Sequence, residues 1–325
     1  MNDIKNNITF IGNAIVDILW QTSDEFLNDL NVQKGSMQLI DEKMVEKFLE
    51  KIKNPTVISG GSAANTAVGY SSFGGNSYFI GQVGNDEYGD LFARNINKSG
   101  VFFEKKETSS KDQTSKSIIL VTPDAERSMS TFLGASVNFN VNSINETLIL
   151  KSNYIYIEGY LFDQTEAKKA IYDCCKLARA NNCKIALSLS DQFCVDRHRQ
   201  DFNNLIEQYV DIIFANESEI KSLYQNDLEG SLSEILKDVE TGAITLGSKG
   251  SIVFKGYNSF SIDPITVTKL VDTTGAGDLY ASGFLYGLAN NKSIKECGDI
   301  GSKAAAEIIT HYGARPKISL KKILK

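Results

Sequence analysis

The chain has 325 residues, of which 42 % are hydrophobic and 23 % charged, and its formal net charge is −6. This length and apolar content predict a large α/β domain with a sizeable core, and the acidic charge disfavours nucleic acid as a partner. Five cysteines without a CxxC pair indicate reduced thiols and disfavour a zinc site. Because no signal peptide or bilayer-length apolar run is present, we expect a soluble, cytoplasmic protein.

Strand and helix patterns alternate along most of the chain. A strand in ITFIG is followed by a helix in SAANTAVGYSS, a strand in NSYFIG and an amphipathic helix in EYGDLFARNINK. The alternation returns at YIYIEG and continues to a last helix from Ile294 to His311. Between Phe102 and Leu133, short alternating runs around a Pro-Asp-Ala turn predict antiparallel strands. We therefore predict one domain, residues 1–325, with a mostly parallel sheet covered on both faces and a lid of inserted strands near 14–56 and 101–134.

The segment DTTGAGD, residues 272–278, stands directly before an apolar helix pattern. Gly275 and Gly277 allow positive φ and a close approach of the backbone to a ligand. The helix start adds unpaired N–H groups and a partial positive charge, which suit a phosphate or a phosphoryl group in transfer. Asp278 is interpreted either as a cap of this helix or as a general base beside the anion site.

A second glycine segment, ISGGSAANTA, has the features of a pocket for hydroxyl groups. Gly60 and Gly61 permit close backbone approach, and the Asn65 amide both donates and accepts hydrogen bonds. Asp17 adds a carboxylate at a predicted strand end, where pockets of open α/β sheets form. The alternative is structural: small residues pack a helix on a sheet, and Asp17 caps a turn.

Two further segments fit the nucleotide side of a phosphoryl-transfer site. Asn216 and Glu219 lie three residues apart, so they share one helical face. Glu219 either reaches Mg²⁺ through water or forms a capping box with Asn216. Thr245, Gly247 and Gly250 follow a predicted strand and either contact a nucleotide or form a hairpin turn.

The motifs GGSAANTA, GGNSYFIGQVGNDEYGD, NESE, TLGSKG and DTTGAGDLYASGF, in this order, resemble the ribokinase-type (PfkB) carbohydrate kinase family. The resemblance covers nearly the whole chain and is closest to the adenosine kinase-like branch. It implies a ribokinase-like three-layer sandwich with a mostly parallel central sheet and a small β-strand lid. It also implies ATP and Mg²⁺ as cofactors, and K⁺ in some members.

The resemblance implies a role for each motif. Asp278 corresponds to the catalytic base, and the anion hole corresponds to Gly275, Ala276 and Gly277. The acceptor hydroxyls correspond to contacts of Asp17, Gly61 and Asn65. The nucleotide contacts correspond to Asn216, Thr245, Gly247 and Gly250, with Glu219 as the magnesium-linked glutamate.

A monovalent-cation site is also implied by the resemblance. Its side chains would be Asp272 and Thr274, completed by carbonyl groups near Ile308, His311 and Gly313. Lys317 stands where some relatives have a serine ligand. The sequence assigns no chemistry to His198 or His311.

We therefore expect ATP-dependent phosphorylation of the primary 5′-hydroxyl of a ribose-containing acceptor, with adenosine as the first candidate. One alternative is a PfkB-type kinase of a free sugar or sugar acid, such as ribose, fructose or ketodeoxygluconate. Another is a non-catalytic protein that binds nucleosides or sugars. We expect no nucleic acid or membrane partner, and a monomer or a homodimer formed through the lid.

Overall fold

The computed structural model describes residues 6–106, 111–124 and 126–324. The β-strands, in chain order, are β1 (Asn7–Ile11), β2 (Ile15–Gln21), β3 (Met37–Leu39), β4 (Thr56–Gly60), β5 (Asn76–Ile80), β6 (Val101–Phe103), β7 (Ser115–Val121), β8 (Arg127–Phe132), β9 (Tyr154–Glu158), β10 (Lys184–Ser188), β11 (Ile212–Asn216), β12 (Thr241–Thr245), β13 (Ser251–Lys255) and β14 (Asn258–Ile262). The α-helices are α1 (Asp24–Asp29), α2 (Glu42–Lys51), α3 (Ser62–Ser72), α4 (Glu87–Lys98), α5 (Glu146–Leu150), α6 (Thr165–Ala180), α7 (Gln192–Tyr209), α8 (Glu217–Tyr224), α9 (Leu228–Asp238), α10 (Ala276–Ala289) and α11 (Ile294–Ile308).

The large sheet has nine strands in the order β14-β13-β12-β11-β10-β9-β1-β5-β6. Neighbours from β12 to β6 pair in parallel, and only β13 and β14 at one edge are antiparallel. The predicted α/β class with a mostly parallel central sheet is therefore confirmed. Because parallel strands end at the same edge of a sheet, one edge collects Glu158, Ser188, Asn216 and Thr245.

Helices cover both faces of this sheet, as a parallel sheet requires. Successive side chains of a strand point to opposite faces of its sheet, so alternate residues of β9 belong to the hydrophobic cores on the two faces. Tyr156 belongs to the core that contains residues of α3 and α10. Ile155 and Ile157 belong to the core that contains residues of α6 and α7. The result is a helix–sheet–helix sandwich of three layers.

A second, smaller sheet has the order β3-β8-β7-β2-β4. The predicted antiparallel pair between residues 102 and 133 is present as β7 and β8, although Ala125 of the predicted turn lies outside the described residues. One boundary differs from the sequence prediction. Val101–Phe103, placed in the lid, instead forms β6 and pairs in parallel with β5 in the large sheet, because α4 returns the chain to that edge as in a βαβ unit. The small sheet also takes in β4, which continues to Gly60, beyond the predicted limit of residue 56.

Within the described ranges, no helix combines the length and the apolar character needed to cross a bilayer.

The packing of α10 on the sheet can be tested at Phe284. This side chain is fully buried, and its ring meets that of Phe214 on β11 edge-to-face, with centroids 5.3 Å apart. We expect Phe284→Ala to lower the free energy of unfolding by about 3–5 kcal/mol, because it leaves a cavity in the core. Urea denaturation followed by circular dichroism measures this. The exposed Tyr257→Ala is the control, with an expected change below about 0.5 kcal/mol; equal effects of the two substitutions would contradict the packing.

Candidate active site

The turn before α10 presents backbone N–H groups to open space. Gly275 is the N-cap residue with φ of 78°, a conformation that favours glycine. Apart from its chain neighbours and the backbone of its own helix, no atom of the described residues lies within 4 Å of the position that a Cβ of Gly277 would take. The N–H groups of Gly277 and Asp278 have no hydrogen-bond acceptor among the described residues. This helix start can therefore bind an anion through its backbone.

Asp278 connects the starts of two helices. Its Oδ1 accepts a hydrogen bond from Ser62 Oγ at 2.6 Å, and its Oδ2 accepts one from Asn65 Nδ2 at 2.9 Å, both from α3. The capping alternative is wrong, because the N-cap residue is Gly275 and the start of α10 has no side-chain cap. Burial raises the pKa of Asp278 to about 6, although these two hydrogen bonds and the charge of Arg315 lower it. Such a group is ionised at neutral pH and still able to accept a proton.

The end of β4 brings Asp17 close to the glycine pair. A Cβ on Gly60 would stand 2.2 Å from Asp17 Oδ2, and a Cβ on Gly61 would stand 2.3 Å from the carbonyl oxygen of Asn13. Gly61 also has φ of 94°. Asp17 is 8 % exposed, and no described residue donates a hydrogen bond to its carboxylate. The two glycines are therefore needed for a loop that closes over a buried acid.

The pKa of the Asp17 carboxyl reflects this burial. Burial raises it to about 7, the charges of Arg315 and Arg127 lower it, and the charges of Asp278 and Asp272 raise it. The sequence analysis did not single out either arginine. Both are distant from Asp17 in sequence, so no local motif marks them.

Glu158, at the end of β9, is another functional candidate that the sequence analysis missed. It is 1 % exposed and accepts hydrogen bonds from the backbone N–H groups of Ala63 at 2.9 Å and Asn13 at 3.3 Å. Because the N-cap residue of α3 is Gly61, which has no side chain, Glu158 supplies the missing acceptor from a neighbouring strand. Burial raises the pKa of Glu158 to about 7. Its only sequence signal is an acidic residue at the end of an apolar strand.

Asn216 and Glu219 form the capping box that was one of the two alternatives. Asn216 Oδ1 accepts from the backbone N–H of Glu219 at 2.9 Å, and the Glu219 carboxylate accepts from the Asn216 N–H at 2.8 Å and from Asn216 Nδ2 at 2.6 Å. Glu219 is 5 % exposed, and burial raises its pKa to about 7. The capping box does not exclude a contact of Asn216 and Glu219 with a bound nucleotide or metal ion, since both residues also line a cavity.

That cavity, of about 250 Å³, lies at the edge where the parallel strands end. The predicted residues that line it are Asn216, Glu219, Thr245, Gly275, Ala276, Gly277 and Asp278. Ser62, Ser188 and Ser190 add hydroxyl groups to its wall. We call it the phosphate cavity.

Gly247 and Gly250 do not line the phosphate cavity. They belong to the turn between the antiparallel strands β12 and β13, as the hairpin alternative predicted. Gly250 has φ of 88°, and a Cβ there would stand 2.1 Å from the carbonyl oxygen of Ile262. Contact of these two glycines with a nucleotide stays a prediction.

A larger cavity, of about 490 Å³, lies beside the small sheet. Thr131 lines it, and Thr131 Oγ1 and Ser117 Oγ share a hydrogen bond at 3.0 Å. Ser117 is paired with Asp17 across β7 and β2, so the three side chains form a row on one face of the sheet. We call this space the acceptor cavity; its wall includes the apolar residues Leu39, Phe132, Leu133 and Val137 and the amides Gln113 and Asn138.

Asp272 is surrounded by hydrogen-bond donors. Its Oδ1 accepts from the N–H of Thr274 at 2.9 Å, and its Oδ2 accepts from the N–H of Gly313 at 2.8 Å. Arg127 Nη2, from β8 of the small sheet, lies 2.8 Å from the same Oδ2, and Arg127 Nη1 donates to Thr274 Oγ1. The backbone N–H of Lys317 donates to Glu307 Oε1 instead of facing this group.

The two histidines are held by neighbouring acids. His198 Nε2 lies 2.7 Å from Asp163 Oδ1, and His311 Nε2 lies 3.2 Å from Glu307 Oε1. Neither lines the phosphate cavity or the acceptor cavity.

Comparison with known proteins places this geometry in a family. Residues 35–321 match the pfkB family of carbohydrate kinases. The crystal structure of adenosine kinase from Sinorhizobium meliloti is 39 % identical over 98 % of both chains, with a TM-score of 0.92. A probable sugar kinase from Rhizobium etli is 40 % identical over 98 % of this chain and 97 % of the other, also with a TM-score of 0.92. Adenosine kinase from Saccharomyces cerevisiae is 28 % identical over 94 % of this chain and 95 % of the yeast protein.

These matches confirm the predicted family, the ribokinase-like fold and the enzyme class. The chain belongs to the pfkB family of carbohydrate kinases and is a phosphotransferase with an alcohol group as acceptor.

Proposed function

We propose that this kinase transfers the γ-phosphoryl group of ATP to the 5′-hydroxyl of adenosine. The observation that carries the proposal is the position of Asp278. Its carboxylate lines the phosphate cavity together with the glycine turn, and the same carboxylate is held by two side chains of α3. Helix α3 therefore orients the proposed base through Ser62 and Asn65 and also contributes Asn65 to the acceptor side.

Acceptor oxygens of Asp17 and Asn65 that lack a donor among the described residues support a ribose-bearing acceptor. No described residue donates to the Asp17 carboxylate, and Asn65 Oδ1 is buried without a hydrogen-bond partner. A pair of neighbouring sugar hydroxyls would supply the donors that these oxygens lack. The acceptor cavity is lined by Thr131, at the end of the row that begins at Asp17. Its apolar side chains and amides suit a planar base, and Glu42, Lys111 and Asp112 add charged groups to its wall.

In the proposed reaction, the 5′-oxygen attacks the γ-phosphorus and the bond to the ADP oxygen breaks. Asp278 takes the proton of the hydroxyl as the attack proceeds. The N–H groups of Gly277 and Asp278 at the start of α10 stabilise the charge on the transferred group. The small sheet serves as the lid that keeps water, a competing acceptor, away from the phosphoryl group.

The residues present fit Mg²⁺ bound through water. Among the described residues, no group of three or more His, Cys, Asp or Glu could hold a metal directly. Glu219 lines the phosphate cavity and would hold the ion through water, since Mg²⁺ retains several waters and binds substrate phosphates. When bound, the ion neutralises phosphate charge during the transfer.

A kinase of a free sugar is the second candidate, because the Rhizobium etli protein with 40 % identity is described as a probable sugar kinase. Release of ADP with a panel of acceptors separates the two candidates. We expect turnover with adenosine, little with ribose, fructose or ketodeoxygluconate, and none with 5′-deoxyadenosine, which keeps the base and lacks the reacting hydroxyl. Turnover of a free sugar without turnover of adenosine would replace our proposal by the second candidate.

The role of Asp278 is tested by Asp278→Asn. We expect kcat to fall by about 10²–10⁴-fold, because the amide cannot accept the hydroxyl proton. The dissociation constant for ATP, measured by calorimetry, should remain within a few-fold of the wild-type value. Asp173→Asn, at a half-exposed position on α6, is the matched control and should keep full turnover. Near-normal kcat in Asp278→Asn would rule out this carboxylate as the base.

The residues around Asp272 do not fit K⁺. A potassium ion requires oxygen ligands, whereas both carboxylate oxygens already face N–H donors and the Arg127 guanidinium. We therefore expect turnover in potassium chloride to be within about twofold of turnover in sodium or choline chloride at equal ionic strength, since salt screening is then the same. A tenfold stimulation by potassium alone would show that the ion displaces Arg127.

A further inference from the structure

Arg315 reaches from the segment after α11 into the glycine loop of the acceptor side. Its Nε donates to the carbonyl oxygen of Ser59 at 2.9 Å, and its Nη2 donates to Ser59 Oγ at 3.2 Å. Its Nη1 donates to the carbonyl oxygen of Ala64 at 2.6 Å. Ser59 precedes the Gly60–Gly61 pair and Ala64 follows it, so one planar guanidinium fixes both ends of this loop.

All three acceptors are neutral, so these hydrogen bonds do not compensate the charge of Arg315. In the described part of the chain, Arg315 forms no ion pair within 4.0 Å. Its positive charge lowers the pKa of both Asp17 and Asp278. Burial in turn lowers the pKa of Arg315 to about 10, while the two carboxylates raise it. A buried charge needs a compensating charge nearby; Arg315 acts on both acids, and Arg127 also acts on Asp17.

The other charged groups that act on Asp278 are mostly negative. Glu158 on β9, Glu219 on α8 and Asp17 on β2 each interact unfavourably with the ionised Asp278. Tyr156 on β9 is neutral, and burial raises its pKa further. The start of α3 contributes only the neutral hydrogen-bond donors of Ser62 and Asn65, so Arg315 is the cation that opposes this negative surrounding.

We propose that Arg315 is a positioning residue for phosphoryl transfer, which fixes the Gly60–Gly61 loop and stabilises the carboxylates of Asp17 and Asp278 by its charge. The inference rests on the proposed role of Asp278 as the base. The proposal gives Arg315 two effects that can be tested separately. The hydrogen bonds determine how well the acceptor is bound, and the charge determines the pH above which the base is ionised.

Loss of the charge should move the pH profile in one direction. Without Arg315, the pKa of Asp278 rises, so a higher pH is needed to remove its proton. The acid limb of kcat/KM for adenosine, which at saturating ATP reports groups of the enzyme–ATP complex before adenosine binds, therefore shifts to higher pH. The substitution Arg315→Lys keeps the positive charge but cannot donate to both Ser59 and Ala64 as the guanidinium does. We therefore expect it to leave the acid limb in place and to weaken acceptor binding.

The test compares Arg315→Gln, Arg315→Lys and, as control, the exposed Arg94→Gln on α4. The pH dependence of kcat/KM for adenosine is measured from pH 5 to 9 at saturating ATP, with thermal melting to verify folding. We expect the acid limb of Arg315→Gln to shift up by about half to one pH unit, as loss of one nearby opposite charge allows. Arg315→Lys should keep the wild-type limb and show a several-fold higher KM for adenosine. Arg94→Gln should change neither.

An unmoved acid limb in folded Arg315→Gln overturns the electrostatic part of the inference, and a wild-type KM in Arg315→Lys overturns the positioning part. If Arg315→Gln does not fold, the acid limb of the pH profile of Arg315→Lys is the test. A shift of that limb, although the positive charge is kept, contradicts the proposal. A wild-type enzyme that does not turn over adenosine would refute the proposed function. An active wild type with an unmoved limb in Arg315→Gln refutes only this inference.

Discussion

The site depends on two helix starts that meet at one carboxylate. Asp278 lies in the first turn of α10 and accepts hydrogen bonds from Ser62 and Asn65 in the first turn of α3. A buried carboxylate is unfavourable unless donors and positive potential surround it, and helix N-termini provide both. The same potential attracts phosphate. The Asp278 carboxylate and the open N–H groups at the start of α10 therefore belong to one local geometry.

The parallel sheet brings residues that are far apart in sequence close to these two helix starts. Because its parallel strands end at one edge, Glu158 of β9, Asn216 of β11 and Thr245 of β12 come to that edge, where Asn216 and Thr245 line a cavity together with the turn before α10. Glu158 then satisfies the start of α3 from a neighbouring strand. The small sheet adds Asp17 from β2, whose carboxylate lies against Gly60 of the glycine loop. The fold thus places two buried carboxylates near one glycine loop, Asp17 beside Gly60 and Asp278 bound to Ser62 and Asn65; we propose that the first binds the acceptor and the second takes its proton.

Local signals in the sequence predicted the glycine turn, the capping box of Asn216 and Glu219 and the alternation of strands and helices. Each of these depends on residues a few positions apart. Glu158 and Arg315 could not be predicted in this way, because their partners lie 95 residues away in Ala63 and 256 residues away in Ser59. The motif around Asp272 implied a cation site. It could not show that Arg127 lies beside Asp272, because Arg127 is on β8 and far away in sequence. Strand β3 has three residues, too few for a clear pattern, and forms through pairing with β8. Strand β14 has five residues, three of them polar, and forms through pairing with β13.

The central claim is that Asp278 receives the proton of the acceptor's primary hydroxyl. The most direct measurement is a crystal structure of the enzyme with adenosine and a non-hydrolysable ATP analogue. The account predicts the 5′-oxygen at about 2.6–3.2 Å from the Asp278 carboxylate, the distance needed for proton transfer, with the terminal phosphate at the start of α10. A 5′-oxygen directed away from Asp278, with that carboxylate bound only to Ser62 and Asn65, would contradict it.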